Sequence, residues 1–156
     1  MPSVVLDTVV LVRGFSNPHG VWGRVVFDRA SDYRLVVSPP LLAEYLEVIA
    51  RPELTRKFRS LPNHMRDLLD LLSRADIVTF DTLPAFERDP KDAHVRATAL
   101  HGAVDYLVSA DNDLLDLGTY EGIPILSAPI FLGLLAVPPT PDDAAPDVSR
   151  HPDSAS

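Results

Sequence analysis

The sequence predicts an α/β domain in which helices cover both faces of a parallel sheet. Short β-branched, apolar runs alternate with amphipathic helical patterns along the chain. The first of these runs is apolar throughout, as a strand buried on both faces should be. The 156 residues, 46% hydrophobic and 23% charged, suffice to bury one core but not two.

SVVLD (Ser3–Asp7) reads as the first buried strand. The run around it lacks a basic leader and is broken by Asp7 and Arg13, so a strand is expected here rather than a signal peptide or membrane span. A loop, FSNPHG, follows, and a helical stretch runs from Val21 to about Arg29. RLVVS (Arg34–Ser38) is the second strand. Pro39 and Pro40 open a helix, where proline is tolerated in the first turn, and Leu42, Tyr45, Leu46 and Ile49 form its apolar stripe. Arg51-Pro52 interrupts that helix, and a basic segment, LTRKFR, comes next. Met65, Leu68, Leu69, Leu71 and Leu72 predict another amphipathic helix from Asn63 to about Ala75.

IVTF (Ile77–Phe80) is the third strand. DPKDAHVRATALHG is a helix that starts at Asp89-Pro90 and stops at Gly102. DYLVS (Asp105–Ser109) and PIL (Pro124–Leu126) are the fourth and fifth strands, and a helix from Ile130 to about Leu135 closes the body. The last twenty residues hold five of the fifteen prolines and almost no large apolar side chain. Residues 1–136 are therefore expected to form the domain, and residues 137–156 a flexible Pro/Asp-rich tail.

The sequence contains no cysteine, which excludes disulfides, zinc–thiolate sites and thiol nucleophiles and suits a cytoplasmic protein. It has neither the phosphate-binding glycine loops of nucleotide and dinucleotide sites nor a G-x-S-x-G nucleophile elbow. Its histidines, His19, His64, His94, His101 and His151, show no H-E-x-x-H pairing; His94 and His101 share a helix face, where packing or surface roles are expected. The net charge of −8 runs against a phosphate-rich partner. The tail accounts for −3 of it, however, and carboxylates that hold divalent cations are largely neutralised.

Ligands of open parallel sheets bind beyond the C-terminal ends of the strands. Asp7 ends the first strand, and Asp111 and Asp113 follow the fourth. If the strand order reverses between those two strands, their acids share one crevice. Glu44 lies one turn into the helix after the second strand, with Glu47 an equally good candidate by periodicity, and Asp92 lies in the first turn of the helix leading to the fourth strand. Each acid has an ordinary reading as a helix cap or a solvated side chain. Together they make the hard-oxygen donor set that Mg2+ or Mn2+ requires.

VVLDTVVLV, SPPLLAEYLEVIARPEL, RDPKDAHVRATALHGAVDYLVSADNDLLDL and GIPILSAPIFL resemble, in order and spacing over about residues 3–135, the PIN-domain toxins of toxin–antitoxin systems, related to the VapC-type ribonucleases. The resemblance implies a three-layer α/β/α fold with a central parallel sheet of about five strands in the order 3-2-1-4-5. It also implies metal-binding acids at Asp7, Glu44, Asp92 and Asp111 with Asp113 as a fifth, supporting hydroxyls at Thr8 and Ser109, an RNA substrate, frequent homodimers and an antitoxin partner. One position departs from the family pattern: Val9 stands where the family usually has an asparagine whose amide would support the site.

The expected activity is metal-dependent hydrolysis of RNA phosphodiester bonds, with no covalent nucleophile. Arg13, Arg51, Arg56, Lys57 and Arg59 are candidates to contact the RNA backbone. An antitoxin helix could lie near Trp22, Phe27 and Phe58. The rival reading, motivated by Val9, is a PIN-like fold that does not cleave and serves as a binding module. A receiver domain is disfavoured because no lysine follows the last strand.

Overall fold

The computed structural model describes residues 1–60, 62–81 and 90–136, and among these the side chains of all but 57–60, 62 and 90–92. The expected tail and Asp89 lie outside the described residues. Six strands form one sheet: β1 (Ser3–Leu6), β2 (Arg34–Val37), β3 (Asp76–Ile77), β4 (Tyr106–Val108), β5 (Thr119–Tyr120) and β6 (Ile123–Leu126). Their order is β3-β2-β1-β4-β6-β5, and every pairing is parallel except β5 with β6. The expected order 3-2-1-4-5 is thus present, with β6 as the fifth strand of the sequence reading.

Successive strand residues point to opposite faces, yet Val4, Val5 and Leu6 of β1 are all fully buried. Both faces of the central strand are therefore covered. α6 (Pro90–Gly102) packs on β1 and β2 and meets α3 (Pro39–Ile49). A second group, α1 (Thr8–Ser16), α2 (Val21–Gly23), a π-helical turn (Arg24–Asp28) and α8 (Ala128–Ala136), packs together and touches α3 through α1. Two further helices, α4 (Pro52–Ser60) and α5 (Pro62–Ser73), follow α3, and α7 (Asn112–Leu117) follows β4. Among the described residues no helix is long and apolar enough to cross a membrane.

The structure departs from the sequence reading at several elements. α1 is a helix where no element was expected. Its run TVVLVRGFS is rich in β-branched residues, which favour strands, but Val10, Leu11, Gly14 and Phe15 line one helical face and are buried. Burial overrides the local preference. α4 covers the basic segment that the sequence left unassigned. The third strand is only Asp76–Ile77, one residue earlier than expected, although the Val78 amide still bonds the Val37 carbonyl at 2.8 Å. β5 turns back onto β6 through Glu121 and Gly122, both at positive φ, as a two-residue hairpin requires. Glu-Gly is a weaker sequence signal for that turn than Asn-Gly.

The C-terminus of α6 carries a small strain. Gly102 marks the expected stop, yet the left-handed residue is Ala103, at φ 47°. The Ala103 amide bonds the Leu100 carbonyl at 3.1 Å, and the Val104 amide bonds the Ala99 carbonyl at 3.3 Å. This is a Schellman closure with alanine where glycine normally sits. Gly102 itself lies against Val36, so close that an added Cβ would stand 2.9 Å from a valine methyl. Ala103→Gly should relieve the left-handed penalty, partly offset by glycine's greater freedom in the unfolded chain, for a net gain of about 1 kcal/mol. A thermal melt should show a rise of roughly 2–4 °C; an unchanged or lower midpoint would argue against strain at this position.

Candidate functional site

The strand order reverses between β1 and β4, and the residues just beyond their C-terminal ends meet there. The Asp7 amide bonds the Val108 carbonyl at 2.9 Å and the Ser109 amide bonds the Leu126 carbonyl at 3.0 Å, so the ladder carries both residues to the rim of the crevice. Asp7 holds the N-cap position of α1, but its side chain does not cap the helix. It accepts the Ser109 hydroxyl at 2.8 Å instead. The same Ser109 oxygen accepts the Asp111 amide at 2.9 Å, which links the two acids through one buried serine.

Burial raises the Asp7 pKa above the ordinary carboxylate value, and repulsion from Asp111 adds to the rise. The Ser109 hydroxyl pulls the other way by favouring the charged form, as do the nearby amides of Val9 and Thr8, although neither amide is close enough or well enough aligned to make a capping hydrogen bond. Asp7 is only 5% exposed, and no cationic side chain is among the groups acting on it. A buried carboxylate held beside a second acid without a counter-ion is the electrostatic setting that a bound cation relieves.

Asp7 and Asp111 line a cleft of about 340 Å³ together with Thr8, Val9, Val12, Glu44, Glu47, Val48 and Arg51. Tyr45 anchors the α3 wall: fully buried, it donates its hydroxyl to the Leu6 carbonyl at the end of β1. That contact sets the neighbouring Glu44 over Thr8, whose hydroxyl donates to Glu44 Oε2 at 3.2 Å.

Three of the expected acids, Asp7, Glu44 and Asp111, thus share one cleft, and so does Glu47, the alternative by periodicity. Glu47 is exposed and pairs with Arg51 at 3.4 Å. Asp92 belongs to the first turn of α6, but its side chain lies outside the described residues. Asp113 is exposed in the first turn of α7 and is not among the residues lining the cleft; its amide donates to Asp111 Oδ1 at 3.0 Å, so Asp111 also caps α7. Among the described residues, no three of His, Asp and Glu stand close enough to enclose a metal ion. The donor chemistry still fits one, because the potential ligands in the cleft are hard oxygens, mostly of carboxylates, and two of the acids repel each other.

Of the expected basic contacts, Arg51 reaches the cleft, whereas Arg13 lies over the Trp22 ring, 5.7 Å from its centroid. Arg56 is exposed. The side chains of Lys57, Phe58 and Arg59 lie outside the described residues. Val9, 38% exposed, forms an apolar wall with Val12 and Val48. The sequence reading gave His94 a packing or surface role, whereas it reaches Glu44 from α6. The sequence signal for a role at the site was its place two residues after Asp92.

The sequence matches the family model described as the PIN domain over residues 3–113. Among curated proteins, none matches. Two solved structures resemble the fold. One is VapBC2 from Rickettsia felis bound to a DNA fragment from its promoter: TM-score 0.52, 14% identity, 80% of this chain and 98% of that chain covered. The other is a domain of a functionally unknown protein from Methanocaldococcus jannaschii: TM-score 0.51, 18% identity, 81% of this chain and 91% of that chain covered. At these identities the likeness is one of fold.

Proposed function

Since the chain belongs to the PIN domain family, we propose that it is a Mg2+- or Mn2+-dependent endoribonuclease that acts as the toxin of a toxin–antitoxin pair. The observation that carries this reading is the pairing of Asp7 and Asp111 at the strand-order reversal, in a cleft whose other wall supplies Glu44.

Asp7, Asp111 and Glu44, with Asp92 from the first turn of α6, are the residues that would hold the ion, and Asp113, outside the cleft lining, would be a peripheral fifth. When bound, the ion supplies Lewis-acid stabilisation of the phosphate and a nucleophile active at neutral pH. Ser109 keeps the Asp7 carboxylate aimed into the cleft, and Thr8 does the same for Glu44. Arg51, at the rim, is the charge best placed to meet an RNA phosphate. Residues 1–136 would be the catalytic domain and residues 137–156 an accessory tail. A cytoplasmic homodimer with a cognate antitoxin completes the proposal; the Rickettsia felis neighbour is a VapBC complex.

Digestion of single-stranded RNA in manganese tests this reading. Chelation should stop cleavage and manganese should restore it. Asp111→Asn should lose cleavage while keeping its fold, because asparagine caps a helix as well as aspartate does. Equal digestion by wild type and Asp111→Asn would overturn the assignment. Metal binding without cleavage would instead identify a binding module.

A further inference from the structure

We propose that His94 is a positioning residue that, together with Thr8, clamps the Glu44 carboxylate in one orientation at the cleft. This rests on the reading of the cleft as a divalent-metal site.

Glu44 and His94 lie on different helices, 50 residues apart in sequence. His94 Nδ1 stands 2.5 Å from Glu44 Oε1, and the Thr8 hydroxyl donates to Oε2 at 3.2 Å. An ionised carboxylate only accepts hydrogen bonds, so Nδ1 must be the donor. Each carboxylate oxygen then has one protein donor. A carboxylate offers about four acceptor sites, so lone pairs remain for a cation on the cleft side. Both side chains are about two-thirds shielded from solvent, at 31% and 29% exposure, so water competes less for this bond than it would at a free surface.

His94 is itself fixed. The Thr98 hydroxyl donates to the His94 carbonyl at 2.6 Å. Thr98 Oγ1 in turn lies 2.7 Å from Ser38 Oγ, which accepts the Leu41 amide at 3.3 Å. Because Thr98 spends its proton on the carbonyl, Ser38 is the donor between the two hydroxyls. Ser38 and Thr98 are almost wholly buried. The relay ties the start of α3 to α6, and α6 then reaches back through His94 to Glu44, one turn further along α3. His101, two turns on from His94, shows what a packing histidine does in the same helix: its ring stacks on Phe80 at 5.0 Å. Metal ligands are commonly oriented by such outer hydrogen bonds.

The test uses the full chain, stripped of metal and titrated with manganese, in wild type and in His94→Leu, His94→Asn and His94→Gln. Asparagine places its amide nitrogen where Nδ1 stands, and glutamine places it where Nε2 stands. Calorimetry should show manganese affinity falling roughly 10–100-fold in His94→Leu. His94→Asn should recover most of that loss and His94→Gln little of it, and RNA cleavage should follow the same order. A packing role would not separate Asn from Gln in this way. If His94→Leu fails to fold, the Asn–Gln comparison carries the test. Unchanged affinity in His94→Leu, or equal recovery by Asn and Gln, overturns the positioning role while leaving the metal site standing. A wild type that neither binds manganese nor cleaves RNA overturns the metal-site reading, and this inference with it.

Discussion

Asp7→Asn should cut RNA cleavage by at least about 10²-fold and, in the metal-free protein, raise the melting temperature. Both effects have one origin. Asp7 is buried beside Asp111, and its pKa is raised mainly by desolvation. A carboxyl whose folded pKa exceeds its unfolded value contributes its stability in acid and loses it as pH rises through the folded pKa. At neutral pH the metal-free Asp7 therefore opposes folding, because the unfolded chain carries its charge in water at no such cost. Asparagine keeps an oxygen to accept the Ser109 hydroxyl but carries no charge, so the opposition disappears.

Each kcal/mol removed in this way should raise the midpoint by roughly 2–4 °C. The difference between variant and wild type should shrink toward low pH, where Asp7 is protonated in both folded and unfolded chains. Manganese should reverse the ranking. At about 100 times its dissociation constant a bound ion stabilises by about 2.7 kcal/mol, and the variant should not gain this. The loss of a Lewis-acid ligand, worth several kcal/mol, corresponds to a fall in rate on the order of 10²–10³-fold. Melts with and without chelator, beside a cleavage assay, test the whole pattern. A metal-free variant less stable than wild type at neutral pH would mean that Asp7 is not opposed by its surroundings.

Gly23→Ala should be among the most destabilising single-methyl additions. A Cβ at Gly23 would stand 2.0 Å from the Pro18 carbonyl oxygen and 2.3 and 2.6 Å from two more backbone atoms of Pro18. No side-chain rotation relieves a clash with backbone, so the turn between α1 and α2 would have to open. Overpacking of this kind costs about 1–3 kcal/mol, and backbone contact places Gly23 at the upper end. The expected fall in melting temperature is roughly 6–12 °C. A fall of less than about 2 °C would show that the turn yields easily.

Much of this architecture was legible in the residues. Runs such as SVVLD and RLVVS admit few readings other than strands buried on both faces, and the place of Asp7 and Asp111 at strand ends led to the shared crevice. α1 was not legible, because β-branched residues leave the local preference opposed to the structure and only packing resolves it. The clamp on Glu44 was not legible either. Glu44 and His94 meet where the Ser38–Thr98 contact joins α3 to α6, and no local pattern encodes that meeting. Between Glu44 and Glu47 the sequence left the choice open. The structure distinguishes them by partner, Thr8 and His94 against Arg51.

The sheet ends on each side in a strand of two residues, β3 at one margin and β5 at the other. Strands so short offer too little unpaired backbone to template an added strand from another chain. Growth by sheet extension is thereby disfavoured. What the sheet margins do not offer, the covering layers do: there side chains rather than backbone decide which surfaces fit a second copy or a partner protein.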